Sequence, residues 1–328
     1  MLNQLISTED AAALIAKGTP LSIAGPEAEL DKLPKGNWIG GTIPYFMLPD
    51  GGAVVRQGKV FVTEISGAGN VRFASYGPAE LEKISGNCPE NGLSIAIIPA
   101  GSEAHQNFAK DAANYPDAFL KPTVGWIAGV HLSELGRVKP LVYAGFNGSK
   151  SADQAVVAYV ELPADKLASV EIVNLFEPGD GDLLQFPQTG FTVKDCLVNG
   201  KTMNFAEYVR SKGLEHGKLP LVGDYTGARI NASLQNVGAA GEAVSLYAPV
   251  FSDIQYHFAR PVPDYAAAFK TRLADQQAAG LLMSCNCILN FLFGELEGKS
   301  IGGVAGPVTF GEIAYQLLNQ TMVTVRVQ

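Results

Sequence analysis

The sequence predicts a mixed α/β protein made of two related halves with mixed sheets. Helix-like and strand-like patterns interleave along all 328 residues, as they do in layered α/β domains. Hydrophobic residues make up 47% of the chain and charged residues only 17%, which suits buried sheets packed together. The two ends of the chain also carry the same order of elements. That repetition predicts a pseudo-twofold internal duplication.

The N-terminal block reads as helix, strand, helix, strand, loop and strand. Capping residues and early acids from Ser7 onward begin the first helix, and Gly18 ends it. Apolar and polar patterns then predict, in order, a strand at 21–24, a helix at 27–32, a strand at 37–39, a loop that holds Tyr45 and a strand at 59–65.

The C-terminal block repeats this order. Apolar residues at helical spacing predict a helix at 263–277, which Gly280 ends. The remaining elements are predicted as a strand at 281–285, a helix at 286–296, a strand at 300–301, a loop that holds Glu312 and a strand at 321–327. Ile39 and Val60 lie 21 residues apart, as do Ile301 and Met322, and this matched spacing supports the duplication.

The middle of the chain is richer in strands. A buried strand at 93–99 leads through a loop into a helix, and further strands and one helix near 205–212 follow. The polar stretch at 213–218 could separate the halves. The domains are therefore predicted as residues 1–200 and 201–328.

Composition excludes several classes of protein. The chain carries 24 basic and 32 acidic residues, a formal charge of −8, which disfavours nucleic acid as a partner. We expect no membrane association, because no apolar run approaches ~18 residues and the N-terminus does not resemble a signal peptide. Four cysteines are too few for a disulfide framework, so a cytoplasmic, bacterial-type protein is expected. No clustered metal-ligand motif or nucleotide fingerprint occurs, and neither a metal nor a cofactor is predicted.

Motifs near the C-terminus resemble the FIST sensory domain of bacterial signalling proteins. They are the segments 284–286, 302–306, 309–313 and 319–321, and the segment 193–209 resembles the stretch that joins the two FIST halves. Residues 38–42 resemble the strand end of the FIST N-terminal half. Cys287 and Ile288 stand where that family tends to carry an arginine. The resemblance implies a small-molecule sensor whose ligand is an amino acid or a related metabolite.

The candidate ligand contacts cluster at the two Ile-Gly-Gly segments and at the junction after the strand at 281–285. Paired glycines let backbone N–H groups approach a ligand, or they only make room for packing, and the sequence leaves both explanations open. The predicted ligand-binding residues are Gly40, Gly41, Thr42, Tyr45, Ser284, Cys285, Asn286, Gly302, Gly303 and Glu312.

Several candidate residues each have two possible roles. Cys285 is a nucleophile at a strand-to-helix junction or a small buried residue. Glu312 binds a ligand amine or is the first-turn acid of a helix beginning near Ile313. Arg229 pairs with a ligand carboxylate or lies along a strand edge. The second-tier candidates, which otherwise serve as helix caps or surface residues, are Ser102, Glu103, His105 and Arg229.

The sequence therefore predicts a small-molecule-binding sensory protein. Its other partners are expected to be a separate signalling protein or further copies of the chain. The alternatives are a cysteine-dependent enzyme that uses Cys285 for acyl transfer or hydrolysis, and a structural assembly protein.

Overall fold

A computed structural model of the chain describes residues 2–225, 227–274 and 280–328. The predicted mixed α/β class is confirmed. The described strands form four six-stranded sheets and one three-stranded sheet, with parallel and antiparallel pairs.

Three segments share one order of elements: an edge strand, a helix, a strand, a helix, a strand, a hairpin and a last strand. In the first repeat these are β1 (Asn3–Ser7), α1 (Thr8–Ala16), β2 (Leu21–Gly25), α2 (Glu27–Leu30), β3 (Trp38–Thr42), the hairpin β4 (Tyr45–Leu48) and β5 (Gly51–Val54), and β6 (Lys59–Glu64). In the second they are β7 (Asn70–Tyr76), α3 (Lys83–Gly86), β8 (Gly92–Pro99), α4 (Glu103–Asp111), β9 (Thr123–Ala128), the hairpin β10 (Val142–Ala144) and β11 (Ser149–Ser151), and β12 (Ala155–Glu161).

The third repeat is interrupted by an insertion after its edge strand, β13 (Ala168–Asn174). The insertion contains β14 (Leu184–Gln185), β15 (Gly190–Val193), β16 (Asp195–Val198), β17 (Lys201–Asn204), α5 (Phe205–Ser211), β18 (Leu221–Tyr225), β19 (Ala228–Ala232), β20 (Leu234–Val237), β21 (Val244–Val250) and β22 (Gln255–Phe258). The repeat then continues with α6 (Tyr265–Leu273), β23 (Leu281–Cys287), α7 (Ile288–Phe293), β24 (Gly306–Thr309), the hairpin β25 (Glu312–Ala314) and β26 (Gln316–Leu318), and β27 (Thr321–Val327). Short 3₁₀ turns occur at Ser66–Ala68, Ala112–Asn114 and Leu132–Glu134.

Strand pairing is the same in all three repeats. The two strands that flank the second helix pair in parallel, as β2 with β3, β8 with β9 and β23 with β24. The last strand of each repeat pairs antiparallel with the first strand of that parallel pair and with the edge strand.

Each repeat also contributes its hairpin to the sheet of another repeat. The β4–β5 hairpin joins the third sheet through β24, β10–β11 joins the first through β3, and β25–β26 joins the second through β9. This exchange closes into a ring of three. The internal duplication predicted from the sequence therefore extends to a third copy.

The blocks matched in the sequence are the first and third repeats, but their residue-by-residue match was wrong. Thr42 pairs with Gly25, and Thr309 occupies the equivalent place because it pairs with Cys287. Ile301, Gly302 and Gly303 precede this strand in a bend, so no strand forms at 300–301. The equal 21-residue spacings therefore do not mark equivalent positions.

Other predicted boundaries also shift. The predicted limit between residues 200 and 201 lies inside the β16–β17 hairpin and coincides with no repeat edge. The predicted loops around Tyr45 and Glu312 are the short hairpin strands, whose pairing partners lie far away in sequence. Of the predicted helix at 263–277, residues 275–277 lie outside the described residues.

The inner faces of the three sheets share one hydrophobic core. Trp126 on β9, Phe61 on β6 and Met283 on β23 surround a void of only about 10 Å³ in this core. Gly41 on β3 lies at the same junction. A Cβ on Gly41 would lie 2.7 Å from Ile97 Cγ2 and 2.8 Å from Trp126 Cη2, so no side chain fits there.

Replacing Gly41 with alanine is expected to lower the free energy of unfolding by about 1–3 kcal/mol, because the added methyl overfills the core. Chemical denaturation measures this change. Gly86→Ala is the matched control, since a Cβ there would have no neighbour within 4 Å. Equal stability of Gly41→Ala and the wild-type protein would show that Gly41 is not needed for packing.

Candidate functional site

A cavity of about 490 Å³ lies where the second repeat, the third repeat and the insertion meet. Its walls include the residues that follow β8 and β23, at the carboxyl ends of these strands. Ligands of α/β proteins commonly bind at that end of a strand. The cavity is lined by Ala100, Gly101, His105, Gln106, Val130, Leu132, Leu135, Gly136, Val138, Pro140, Phe191, Thr192, Gln235, Ser245, Leu246, Tyr247, Cys287, Ile288, Leu289, Leu292, Phe310 and Asn319.

His105 contributes one polar group to this cavity. Ser102 caps α4 by accepting a hydrogen bond from the backbone N–H of His105, which fixes the residue in the first turn. The Gly101 N–H donates to Nδ1 at 3.2 Å, so the ring proton lies on Nε2. The side chain is only 7% exposed, and Nε2 has no partner among the described residues. Burial lowers the pKa of His105 to about 4, so at neutral pH the ring is an uncharged donor.

Asn319 contributes a second donor. It lies in the turn between β26 and β27 and is 2% exposed. Its Oδ1 accepts hydrogen bonds from the Ser233 backbone N–H at 3.1 Å and from Ser233 Oγ at 2.6 Å, which fixes the orientation of the amide. Its Nδ2 has no partner within the described part of the chain. A buried unpaired donor is costly, so both groups are suited to a ligand acceptor.

Cys287 and Glu312 form a buried pair at the wall of the cavity. Cys287 lines the cavity, and it pairs in the parallel ladder with Thr309, whose Oγ1 lies 3.4 Å from Glu312 Oε1. Glu312 is fully buried and accepts a 2.8 Å hydrogen bond from Thr321 Oγ1. Burial raises the pKa of Glu312 to about 8 and raises the pKa of Cys287 well above its ordinary value.

The rest of the cavity wall is uncharged and mostly apolar, with polar side chains at Gln106, Thr192, Gln235 and Ser245. None of its lining residues in the described ranges is Asp, Glu, Lys or Arg. Exposed apolar side chains mark its rim: Leu135 is 52% exposed, and Val138 and Leu292 are each 39% exposed. The cavity therefore suits a neutral, partly apolar molecule.

A second cavity of about 440 Å³ lies between the first and second repeats and shares Val130 and Val138 with the first. Its lining is charged and includes Arg56, whose Nη2 lies 2.7 Å from His131 Nε2. Arg56 is exposed and His131 is half-buried. Because no buried unpaired group lines this cavity in the described structure, it is the weaker candidate.

The predicted glycine site is not assembled. Gly40 and Gly41 are buried within β3, whereas Gly302 and Gly303 form an exposed bend with positive φ angles. None of the four lines either large cavity.

The structure separates the other first-tier candidates. Ser284 donates to the Ala305 carbonyl at 2.8 Å, Cys285 donates to the Gly125 carbonyl at 3.3 Å, and Asn286 accepts from Asn290. Thr42 lines the second cavity, and Tyr45 Oη accepts from the Leu132 N–H in the core. Glu312 lies on β25 rather than at a helix start, and it does not line the first cavity.

Of the second-tier candidates, only His105 lines the first cavity. Ser102 is the cap of α4, and Glu103 lies exposed in its first turn. Arg229 forms an ion pair with Glu177.

The places of Cys287 and Asn319 in the cavity wall were not predicted from the sequence. Cys285 and Cys287 are two residues apart and so lie on the same face of β23. Cys287 is the last residue of the strand and lines the cavity, whereas Cys285 does not. The exact end of the strand, which decides between them, was not predictable from the sequence. Asn319 lies in the segment 319–321, which resembles the FIST domain. Its side chain is held by Ser233, which is 86 residues away in sequence, so this contact could not be read from neighbouring residues.

None of the described helices combines the length and apolarity needed to cross a bilayer. Among the residues that the structure describes, no three His, Cys, Asp or Glu side chains lie close enough together to hold a metal ion.

Comparison with protein families gives one match. The family model described as "Family of unknown function (DUF6976)" matches residues 6–328. No curated protein matches the chain.

Proposed function

We propose that this chain, which belongs to the DUF6976 family of unknown function, is a small-molecule-binding protein whose ligand occupies the 490 Å³ cavity. The observation that carries the proposal is that two residues lining one cavity, His105 and Asn319, each carry a buried donor (Nε2 and Nδ2) with no partner in the described structure. Two donors without a partner favour a ligand that supplies acceptor oxygens.

The charge of the wall favours a neutral carbonyl compound as the ligand. A free amino acid, the class expected from the sequence, would bury an ammonium and a carboxylate group. Burying an unpaired charge costs several kcal/mol, and the lining supplies no side chain to pair with it. An amide or ester brings the same acceptor oxygen without the charge, and its aliphatic part suits the apolar rim.

The sensory role remains part of the proposal and is supported by the FIST resemblance. Leu135 and Val138 are exposed at the cavity rim, and a bound ligand would cover them. A separate signalling protein or another copy of the chain would then recognise the ligand-bound rim. We propose the cytoplasm as the compartment, because Cys88, Cys196, Cys285 and Cys287 are all free thiols.

Hexanamide is the probe that tests binding, with hexanoate and leucine as charged comparisons. Isothermal titration is expected to show hexanamide binding at least about tenfold more tightly than either charged compound. His105→Phe and Asn319→Asp should each weaken hexanamide binding about 5- to 20-fold, because each removes one donor to the amide oxygen.

Arg56→Ala in the second cavity is the matched control and should leave hexanamide binding unchanged. Unfolding curves of each variant verify that it is folded. Tighter binding of leucine than of hexanamide, or full affinity in both donor variants, would contradict the proposal.

A further inference from the structure

We propose that the second cavity binds a neutral sugar, a molecule whose hydroxyl groups both donate and accept hydrogen bonds. The cavity measures about 440 Å³, which is within the usual range for a small-molecule site. The inference goes beyond the proposed function, because it concerns a different cavity and a ligand without an acyl chain. Neither site requires the other.

The second cavity lies at the carboxyl ends of parallel strands, where ligands of α/β proteins commonly bind. Pro26, which follows β2, and Thr42, which ends β3, line it from the first repeat. Gly129, which follows β9, lines it from the second repeat. In the first cavity, Ala100 and Ile288 take corresponding places after β8 and β23. The internal repetition therefore places both cavities after equivalent strands.

Arg56 and His131 place two donors at one point of this cavity. The imidazole ring of His131 stacks on the buried Tyr45 ring, with centroids 5.5 Å apart, which fixes its orientation. The Ser133 backbone N–H donates to His131 Nδ1 at 3.2 Å, so the ring proton lies on Nε2. Arg56 Nη2, which can only donate, lies 2.7 Å from this Nε2, so neither group satisfies the other. A ligand hydroxyl oxygen has two lone pairs and accepts a hydrogen bond from each.

Three carboxyl groups of the same wall supply acceptors. Lys150 Nζ donates to Glu27 Oε1 at 3.0 Å and to Asp31 Oδ1 at 2.8 Å, which holds these two side chains together. Glu134 is half-buried, and its carboxyl group has no hydrogen-bond or ion-pair partner within the described ranges. An ionised carboxylate accepts about four hydrogen bonds, so each of the three has lone pairs left for hydroxyl donors.

The charges around this cavity balance, which favours a neutral ligand. Three acids face three cations when the lysine that bridges two of the acids is included: Glu27, Asp31 and Glu134 against Arg56, Lys139 and Lys150. A ligand carboxylate or ammonium group would add an unmatched charge. Hydroxyl groups instead form charge-assisted hydrogen bonds with acids and cations alike. The apolar side chains of Ile43, Pro44 and Val130 supply a surface for the C–H groups of a sugar ring.

Isothermal titration with D-glucose, D-galactose and D-mannose tests the inference, because the three hexoses differ only in the orientation of single hydroxyl groups. At least one of them is expected to bind saturably. The hexose that binds most tightly is then compared with its uronic acid, which carries a carboxylate, and with its amino sugar, which carries an ammonium group. The neutral hexose should bind at least about threefold more tightly than either charged form.

Two variants remove one donor and one acceptor from the cavity. Arg56→Ala should weaken hexose binding about tenfold, and Glu134→Gln should weaken it about 3- to 10-fold, because each removes a charged hydrogen-bond partner. Arg260→Ala is the matched control, since Arg260 is an exposed arginine that lines neither cavity. Its hexose affinity should equal that of the wild-type protein, and unfolding curves verify that all three variants are folded.

Failure of all three hexoses to bind would overturn the inference, and so would full affinity in both Arg56→Ala and Glu134→Gln. Tighter binding of the uronic acid or the amino sugar would also overturn it, because the ligand would then be charged. Displacement of the hexose by saturating hexanamide would place the sugar in the first cavity and overturn the second site. Hexanamide binding is measured separately, so each of these results leaves the proposed function standing.

Discussion

Trp126→Ala is expected to lower the free energy of unfolding by about 3–5 kcal/mol, because the indole fills the junction of all three repeats. Trp126 is 2% exposed and borders Phe61 of the first repeat and Met283 of the third. Truncation leaves a cavity that three paired sheets cannot collapse to fill. Equilibrium denaturation in urea measures the change.

Phe119→Ala is the control for this prediction, since Phe119 is an aromatic residue of the same repeat that is 58% exposed. Its truncation should change stability by less than about 1 kcal/mol. A loss at Trp126 no larger than the loss at Phe119 would contradict the shared core.

Glu312→Gln is expected to change how stability depends on pH. In the folded protein the pKa of Glu312 is raised to about 8 from an ordinary value of 4.5, mainly by burial. Between these values the folded state binds more protons than the unfolded state. Stability therefore falls as pH rises through this window, by up to about 1.4 kcal/mol per pH unit. The glutamine variant lacks this loss, so its stability relative to the wild-type protein should rise steadily from pH 5 to pH 8.

The comparison of the two proteins isolates Glu312 from other titrating groups. Cys285 and Cys287 face Glu312 from β23, and Tyr247 and Tyr265 lie near Cys287. Burial raises the pKa of each of these four side chains above its ordinary value, so none titrates in this window. His105, with its pKa lowered to about 4, makes stability fall as pH drops from 6.5 toward 4, and it does so in both proteins. Parallel stability curves from pH 5 to pH 8 would show that Glu312 is not buried as described.

The sequence predicted the fold class because long apolar strands and capped helices carry local signals. The helix at Thr8–Ala16 begins at the predicted cap, where Ser7 accepts from the Asp10 N–H. The second repeat was missed because the hairpin strands of three or four residues pair with other repeats. Short strands carry little periodicity, and their partners cannot be identified from neighbouring residues.

The site was only partly predictable for the same reason. His105 was a candidate because it follows a strand end, and the structure places it in the cavity. The glycine pairs were attractive as a repeated motif, but Gly41 makes room for Trp126 instead. Burial changes the chemistry of Glu312 and Asn319, and burial depends on contacts with residues far away in the chain.

The most direct test of the account is a titration of the protein with hexanamide, followed by NMR of the Asn319 side-chain amide and the His105 Nε2–H, each assigned from its variant. We predict that both resonances shift along one saturation curve with a single Kd, because both donors bind the one carbonyl oxygen of hexanamide. Saturable binding that leaves both resonances unmoved would contradict the proposed site.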